Sequence, residues 1–172
     1  MNNSSNLPLD LPGNLSIGHG YDLHALIDGD GFMLGGVTIP CDKKVVAHSD
    51  GDVLLHAICD ALLGAAGLGD LGEHFPDTDD KWLNISGEKL VTLTLQKIKQ
   101  CNYKVANLDS TVILESPKLS PYKLQMRDNI AALLEVSKSS INVKATCNEG
   151  MDAIGSNLAI AAHCVCLLSS TS

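Results

Sequence analysis

The sequence predicts an α+β sandwich in a single domain: one mixed sheet covered by helices on one face. Three observations carry that expectation. Strand-like and helix-like stretches alternate in an order where more than one strand follows another directly. The chain has 172 residues, 45% of them hydrophobic, which suits one compact core and leaves a second domain very small. Helices on a single side leave the sheet's other face with something to bury.

Residues 1–15, rich in Asn, Ser and Pro and without the basic residues of a transit sequence, read as a flexible extension; the domain is expected over 16–169. Residues 16–25 and 32–39 read as two strands joined by the acidic loop IDGDG. The Gly35-Gly36 pair in the second run marks a bulge or a close backbone approach. A helix follows from about 50 to 66, where Ser49 or Asp50 can cap and Val53, Leu54, Leu55, Ile58, Leu62 and Leu63 recur at near-helical spacing. It ends in the glycine-rich LGAAGLGDLG, whose small residues let a backbone come close to a neighbour or ligand. EHFPDTDD, broken by Pro76, reads as a loop.

A second helix over 86–101 turns Leu90, Val91, Thr94, Leu95 and Ile98 inward and Lys97 and Lys99 outward. Residues 104–114 alternate as a strand until ESPKLSPY breaks it, with Ser120 as cap and Pro121 at the first position of a third helix. That helix is expected to reach about 135 and to bury Leu124, Ile130, Leu133 and Leu134. Residues 141–147 form a short strand. Residues 158–168 close the chain as an apolar strand, with helix as the weaker alternative, and His163 within it reads as structural.

A formal net charge of −8 argues against a nucleic-acid partner, because a phosphate backbone demands a basic patch and none is visible. An anionic small molecule must then be met locally, by metal ions or helix N-termini. The cysteines at 41, 59, 101, 147, 164 and 166 have neither metal-ribbon spacing nor the density of a disulfide scaffold, so reduced thiols in a cytoplasmic compartment are expected. No membrane association is expected: no stretch resembles a signal peptide, and the apolar run near 159–168 is too short to cross a bilayer as a helix.

The chemistry concentrates in AHSDGDVLLHAICD, residues 47–60. His48 falls at the mouth of the helix, where unpaired N–H groups and the positive end of the dipole favour a phosphate or carboxylate. His56 lies about two turns further in, with Asp52 and Asp60 four residues away on either side, so all three share a face and an acid can fix the imidazole tautomer. On a strand over 17–26, Asp22 and His24 project to one side. One carboxylate and two imidazoles, Asp22, His24 and His56, make a three-ligand site for zinc or a similar ion with a coordination position left open.

The blocks GHGYDLHA, LGGVTIP, AHSDGDVLLHAICDALLGAAGLGDLGEHFPDTD, ESPKLSPY and KATCNE, in this order over about 16–168, resemble the 2-C-methyl-D-erythritol 2,4-cyclodiphosphate synthase family of the non-mevalonate isoprenoid pathway. The resemblance implies a homotrimer packed around its sheets, with active sites between neighbouring subunits. It implies a phosphorus–oxygen lyase that cyclises 4-diphosphocytidyl-2-C-methyl-D-erythritol 2-phosphate and releases CMP, by in-line attack of the 2-phosphate on the β-phosphorus. By matched position, Asp22, His24 and His56 would hold zinc, and Glu149 a second divalent ion, magnesium or manganese. His48 and Ser49 would hold the attacking phosphate, with His48 and Cys147 contacting the transition state. Asp70, Leu71 and Gly72, together with Phe75, Pro76, Asp77, Thr78 and Asp79, would hold the erythritol portion, and carboxylates suit its hydroxyls. The cytidine end would fall to residues 114–120, with Lys118 pairing to phosphate, and to Ala145 and Thr146.

The final loop departs from the family's pattern. Cys147 and Asn148 stand where successive threonines are common, and a thiol is the weaker donor. Ala153 and Ser156 stand where an aromatic and an arginine are often found, so the resemblance carries no anionic isoprenoid ligand onto the trimer axis. Two other readings stay open on the residues alone. A zinc-dependent hydrolase would use the same Asp/His site to activate water, with His48 as base. A non-catalytic metal-binding protein would close the site with a fourth protein ligand, for which no residue has convincing spacing.

Overall fold

The computed structural model describes residues 14–171. The N-terminal extension expected over 1–15 lies, apart from its last two positions, outside the described residues. The chain opens with β1 (Leu15–Asp28), then two three-residue strands, β2 (Phe32–Leu34) and β3 (Val37–Ile39), and β4 (Lys43–Val46). Helices α1 (Val53–Ala65), α2 (Leu71–His74) and α3 (Gly87–Gln100) precede β5 (Tyr103–Ile113). Then come α4 (Lys123–Leu133), β6 (Ile141–Thr146), α5 (Asp152–Gly155) and β7 (Ala159–Ser170). Short 3-10 turns sit at Asp80–Trp82 and Lys138–Ser140.

The main sheet has the order β4-β1-β7-β5-β6, with β5 and β6 parallel and the other neighbours antiparallel, so it is mixed as expected. Helix α1 packs on β1 and β7, α3 on α1 and β5, and α4 on β6. Burial of α1 is almost complete around its circumference, from Val53 through Leu63, because it is sandwiched between the sheet and α3. Along β1 the period of two is clean: Gly18, Gly20 and Leu26 are buried under helices, while Ile17 and Leu23, 74% and 48% exposed, stand on the opposite face with Tyr21. Gly18 and Gly20 are what let α1 lie so close, since a Cβ at either would come 1.9 Å from a carbonyl oxygen of that helix.

Residues 32–39 form a two-stranded hairpin and not one bulged strand. Gly35 and Gly36, at φ +59° and +71°, make the two-residue turn, a conformation that glycine adopts without steric cost. Periodicity missed β4, a short edge strand alternating half-buried with exposed residues. Helix α1 begins later than expected, because Asp52 and not Ser49 or Asp50 caps it, accepting from Leu55 N–H at 3.1 Å. Helix α4 begins at Lys123 without a side-chain cap, while Ser120 and Pro121 remain in the preceding turn. In consequence Leu124 points outward, 67% exposed, and Met126, Ile130, Ala131 and Leu134 carry the buried face.

Candidate metal centre and substrate cavities

Strand β1 and helix α1 together build a cluster of three donors. Asp22 and His24 lean from β1 toward the helices, and His56 descends from the second turn of α1. Asp22 Oδ2 stands 2.9 Å from His56 Nδ1 and 3.0 Å from His24 Nε2, and the two imidazole nitrogens are 3.2 Å apart. Among the described residues this is the group of three metal-type donors that converge. The separations approach the edge of about 3.3 Å that a tetrahedron of 2.0–2.1 Å bonds requires, so the donor set fits zinc with one position open.

The electrostatics agree. Burial alone would push the Asp22 carboxyl up, but the two imidazoles beside it outweigh burial and hold it well below the usual carboxylate range. For His56, burial works against the charged form, and the Asp22 carboxylate more than offsets it, so its pKa rises. The site therefore prefers a positive charge at its centre.

The carboxylates that steady His56 are not the expected ones. Asp52 turns away, accepting from Gly35 N–H and Gly36 N–H at 2.8 Å each as well as from Leu55, so it ties the hairpin turn to the start of α1. Asp60 accepts from Leu71 N–H at 2.7 Å and fixes α2. Instead, Ser49 Oγ lies 3.1 Å from His56 Nε2, with Asp50 Oδ1 at 4.0 Å. With Nδ1 facing the cation position, Nε2 carries the proton and Ser49 Oγ accepts it, along with Gly51 N–H at 3.2 Å. Both acceptances leave the serine hydroxyl free to donate to a ligand. Asp50 also accepts from Gly87 N–H at 2.7 Å, binding the loop to the first turn of α3. Ser49 reaches His56 from the loop before α1 and not from the helix face, which is why spacing did not reveal it.

Next to the cluster lies a cavity of 230 Å³. His24, His48, Ser49 and His56 form its polar wall, while Leu71, Phe75, Trp82 and Leu90 form the apolar one, with Asp77 at the rim. His48 Nε2 and Trp82 Nε1 are buried and without hydrogen-bond partners, two polar atoms that a bound molecule would satisfy. Of the other residues expected to meet the erythritol portion, Asp70 and Asp79 act as helix caps, Asp79 also pairing with Lys81 at 2.6 Å. Gly72, Pro76 and Thr78 do not line this cavity. Trp82 was missed by sequence reasoning; its ring lies edge-on to Phe75 at 5.0 Å.

A second cavity, of 290 Å³, opens where the parallel strands β5 and β6 end. Leu114, Lys118 and Ser120 line one side, Ala145, Thr146 and Cys147 the other, so the expected nucleotide residues do gather. Cys147 Sγ donates to Glu149 Oε1 at 3.3 Å, and Glu149 is exposed at φ +52° in the loop after β6, outside the Asp22–His24–His56 cluster.

A family model described as the YgbB family matches residues 15–169. The chain belongs to the YgbB family. A relative from Desulfatibacillum aliphaticivorans, named 2-C-methyl-D-erythritol 2,4-cyclodiphosphate synthase, is 52% identical over 154 residues, covering 90% of this chain and 99% of its own. A relative of the same name from Salinibacter ruber is 46% identical, covering 91% and 99%. Among solved structures, the bifunctional IspDF of Campylobacter jejuni superposes with a TM-score of 0.88 at 39% identity, over 94% of this chain and 45% of that one. The CDP complex of Plasmodium falciparum IspF gives 0.82 at 32%, over 93% and 99%. This YgbB chain thus shares its fold with these solved structures. Among the described residues no helix is long and apolar enough to cross a membrane.

Proposed function

We propose that this chain closes 4-diphosphocytidyl-2-C-methyl-D-erythritol 2-phosphate into 2-C-methyl-D-erythritol 2,4-cyclodiphosphate with release of CMP, in cytoplasmic isoprenoid precursor synthesis. The observation that carries the reading is the Asp22–His24–His56 cluster beside a cavity holding unpartnered His48 Nε2. The names of the relatives and the CDP held by a structural neighbour support it.

In the reaction an oxygen of the 2-phosphate forms a bond to the β-phosphorus, and the bond from that phosphorus to the bridging oxygen breaks, so CMP leaves with that oxygen. Zinc held by Asp22, His24 and His56, with a magnesium or manganese ion at Glu149, would supply positive charge to the phosphate oxygens. The chain's own groups handle orientation. His48 Nε2 and the free Ser49 hydroxyl donate to the attacking phosphate, and the Leu71–Phe75–Trp82 wall keeps water from competing. Asp77 accepts from an erythritol hydroxyl at the rim, while Lys118 and the β5–β6 cavity hold the cytidine diphosphate end. Cys147 contacts the transition state more weakly than a threonine, its thiol donating to Glu149. No protein nucleophile is needed.

The open sheet face, with Ile17, Tyr21, Leu23 and Val165 exposed, supports a homotrimer packed through it. Incubation with the cytidyl substrate, zinc and magnesium tests the reading: CMP and the cyclic diphosphate form in equal amounts. Release of CMP with only linear phosphates would overturn it in favour of the zinc hydrolase. Sedimentation equilibrium should give three times the chain mass.

A further inference from the structure

Away from the substrate cavities, the sheet face opposite the helices carries a second pair of imidazoles. His19 on β1 and His163 on β7 stand on neighbouring antiparallel strands, one diagonal step apart, since His19 is opposite Val165 and His163 opposite Tyr21. Their nitrogens, His19 Nε2 and His163 Nδ1, are 3.1 Å apart. Tyr21 lies against the His163 ring at 4.7 Å between centroids. Two strands locked in register fix both backbones, so the pair is set by the fold and not by a flexible loop.

We propose that His19 and His163 chelate a divalent transition ion of borderline softness, zinc or nickel, at a second metal site on the open sheet face. Two neutral imidazoles suit that class of ion, whereas magnesium and calcium want oxygen ligands. The bite fits: nitrogens 3.1 Å apart, each about 2.0–2.1 Å from the ion, subtend about 95–102°, between square-planar and tetrahedral angles. Each ring must turn its lone pair about 40° off the line joining the nitrogens to reach such an ion.

Opposite His163 on β5 stands Thr111, and Asp109, the acid on that strand facing the same way, is engaged by Lys144 and by Asn142 at 2.8 Å. The site uses atoms of one chain, so it stands whether or not copies pack on this face. It is also separate from the reaction, because neither imidazole bonds to Asp22, His24 or His56.

Equilibrium dialysis against zinc without nucleotide or magnesium, followed by elemental analysis, decides the matter on four forms of the full chain. Wild type should hold one more ion per chain than His163→Gln, which keeps a polar partner for His19 but removes the ligand nitrogen. Asp22→Asn should also hold one fewer than wild type, and the double variant two fewer. Nickel in place of zinc should load the same site, with one fewer nickel ion per chain in His163→Gln than in wild type. The cyclisation rate of His163→Gln should match wild type. Equal zinc content in wild type and His163→Gln would overturn the inference, whatever Asp22→Asn does. Equal content in wild type and Asp22→Asn would overturn the catalytic-centre reading and leave this one to be judged on His163 alone.

Discussion

Replacing Gly20 by Ala tests how the catalytic cluster is held together. The new Cβ would meet Ala57 O at 1.9 Å, Ala61 N at 2.7 Å and Ala57 C at 2.9 Å, all backbone atoms of α1 that no rotamer change can move. Restoring even a tight contact of 3.0 Å takes a retreat of α1 by at least about 1.1 Å. His56 rides on α1 and Asp22 on β1, so their 2.9 Å contact opens to about 4 Å, beyond hydrogen-bond reach. Overpacking of this kind costs up to about 3 kcal/mol. For a chain of this size that corresponds to a fall in Tm of roughly 6–12 °C. A displacement of about 1 Å at a reacting centre costs on the order of 100-fold in rate. Calorimetry, zinc titration and cyclisation kinetics on Gly20→Ala read all three. Gly64→Ala, in the same helix with nothing within 4 Å of the new methyl, is the matched control and should gain about 0.5–1 kcal/mol. If Gly20→Ala melts and binds zinc as wild type does, then the close approach of helix to strand does not set the donor spacing.

Other expectations follow from the same geometry. Asp52→Ala strips acceptors from Gly35, Gly36 and Leu55 N–H and should cost about 3 kcal/mol in urea unfolding; a loss under 1 kcal/mol would show that water replaces the carboxylate. In chelator-treated protein, Asp22 is held low, so its stabilisation is present above about pH 3.9 and fades as pH falls; His56 is raised, so its share is full below about pH 6.5 and fades as pH rises. The stability gap between wild type and Asp22→Asn should therefore peak between those values, and a gap that keeps growing above pH 7 would contradict the pairing. Burial pushes the thiols of Cys59 and Cys166 up to about 12 and about 11, and that of Cys164 higher than its usual range. At pH 8 a thiol reagent should label exposed Cys101 in native protein and reach those three only after unfolding, as peptide mass spectrometry would show. Adding saturating zinc to chelated wild type should raise Tm, and the rise should be smaller in Asp22→Asn, which lacks the catalytic-cluster ligand.

Much of this was legible in the chain. Period two in GHGYDLHA placed Asp22 and His24 on one side, and the helical run after Asp52 placed His56 within reach, because both depend on local geometry alone. What spacing could not supply was the tertiary identity of neighbours. Asp52 and Asp60 share a helix with His56, yet their carboxylates serve backbone N–H groups of other elements, while Ser49 does the steadying from a loop. Leu124 was misplaced because a residue type was read as burial before the helix start was known. Glu149 and Cys147 share a loop by sequence, and the resemblance rather than any periodicity drew attention to them.

The Asp52 carboxylate has a further effect. It occupies the end of α1 where a free anion would otherwise settle, so the fold has filled that berth with its own carboxyl oxygens. Capture of phosphorylated guests is then conditional on loading of the neighbouring cation position. Stripped of its ions, the protein should hold pyrophosphate only weakly, through His48, Ser49 and Lys118, and inhibitors that imitate it should owe most of their grip to the metal and not to the helix.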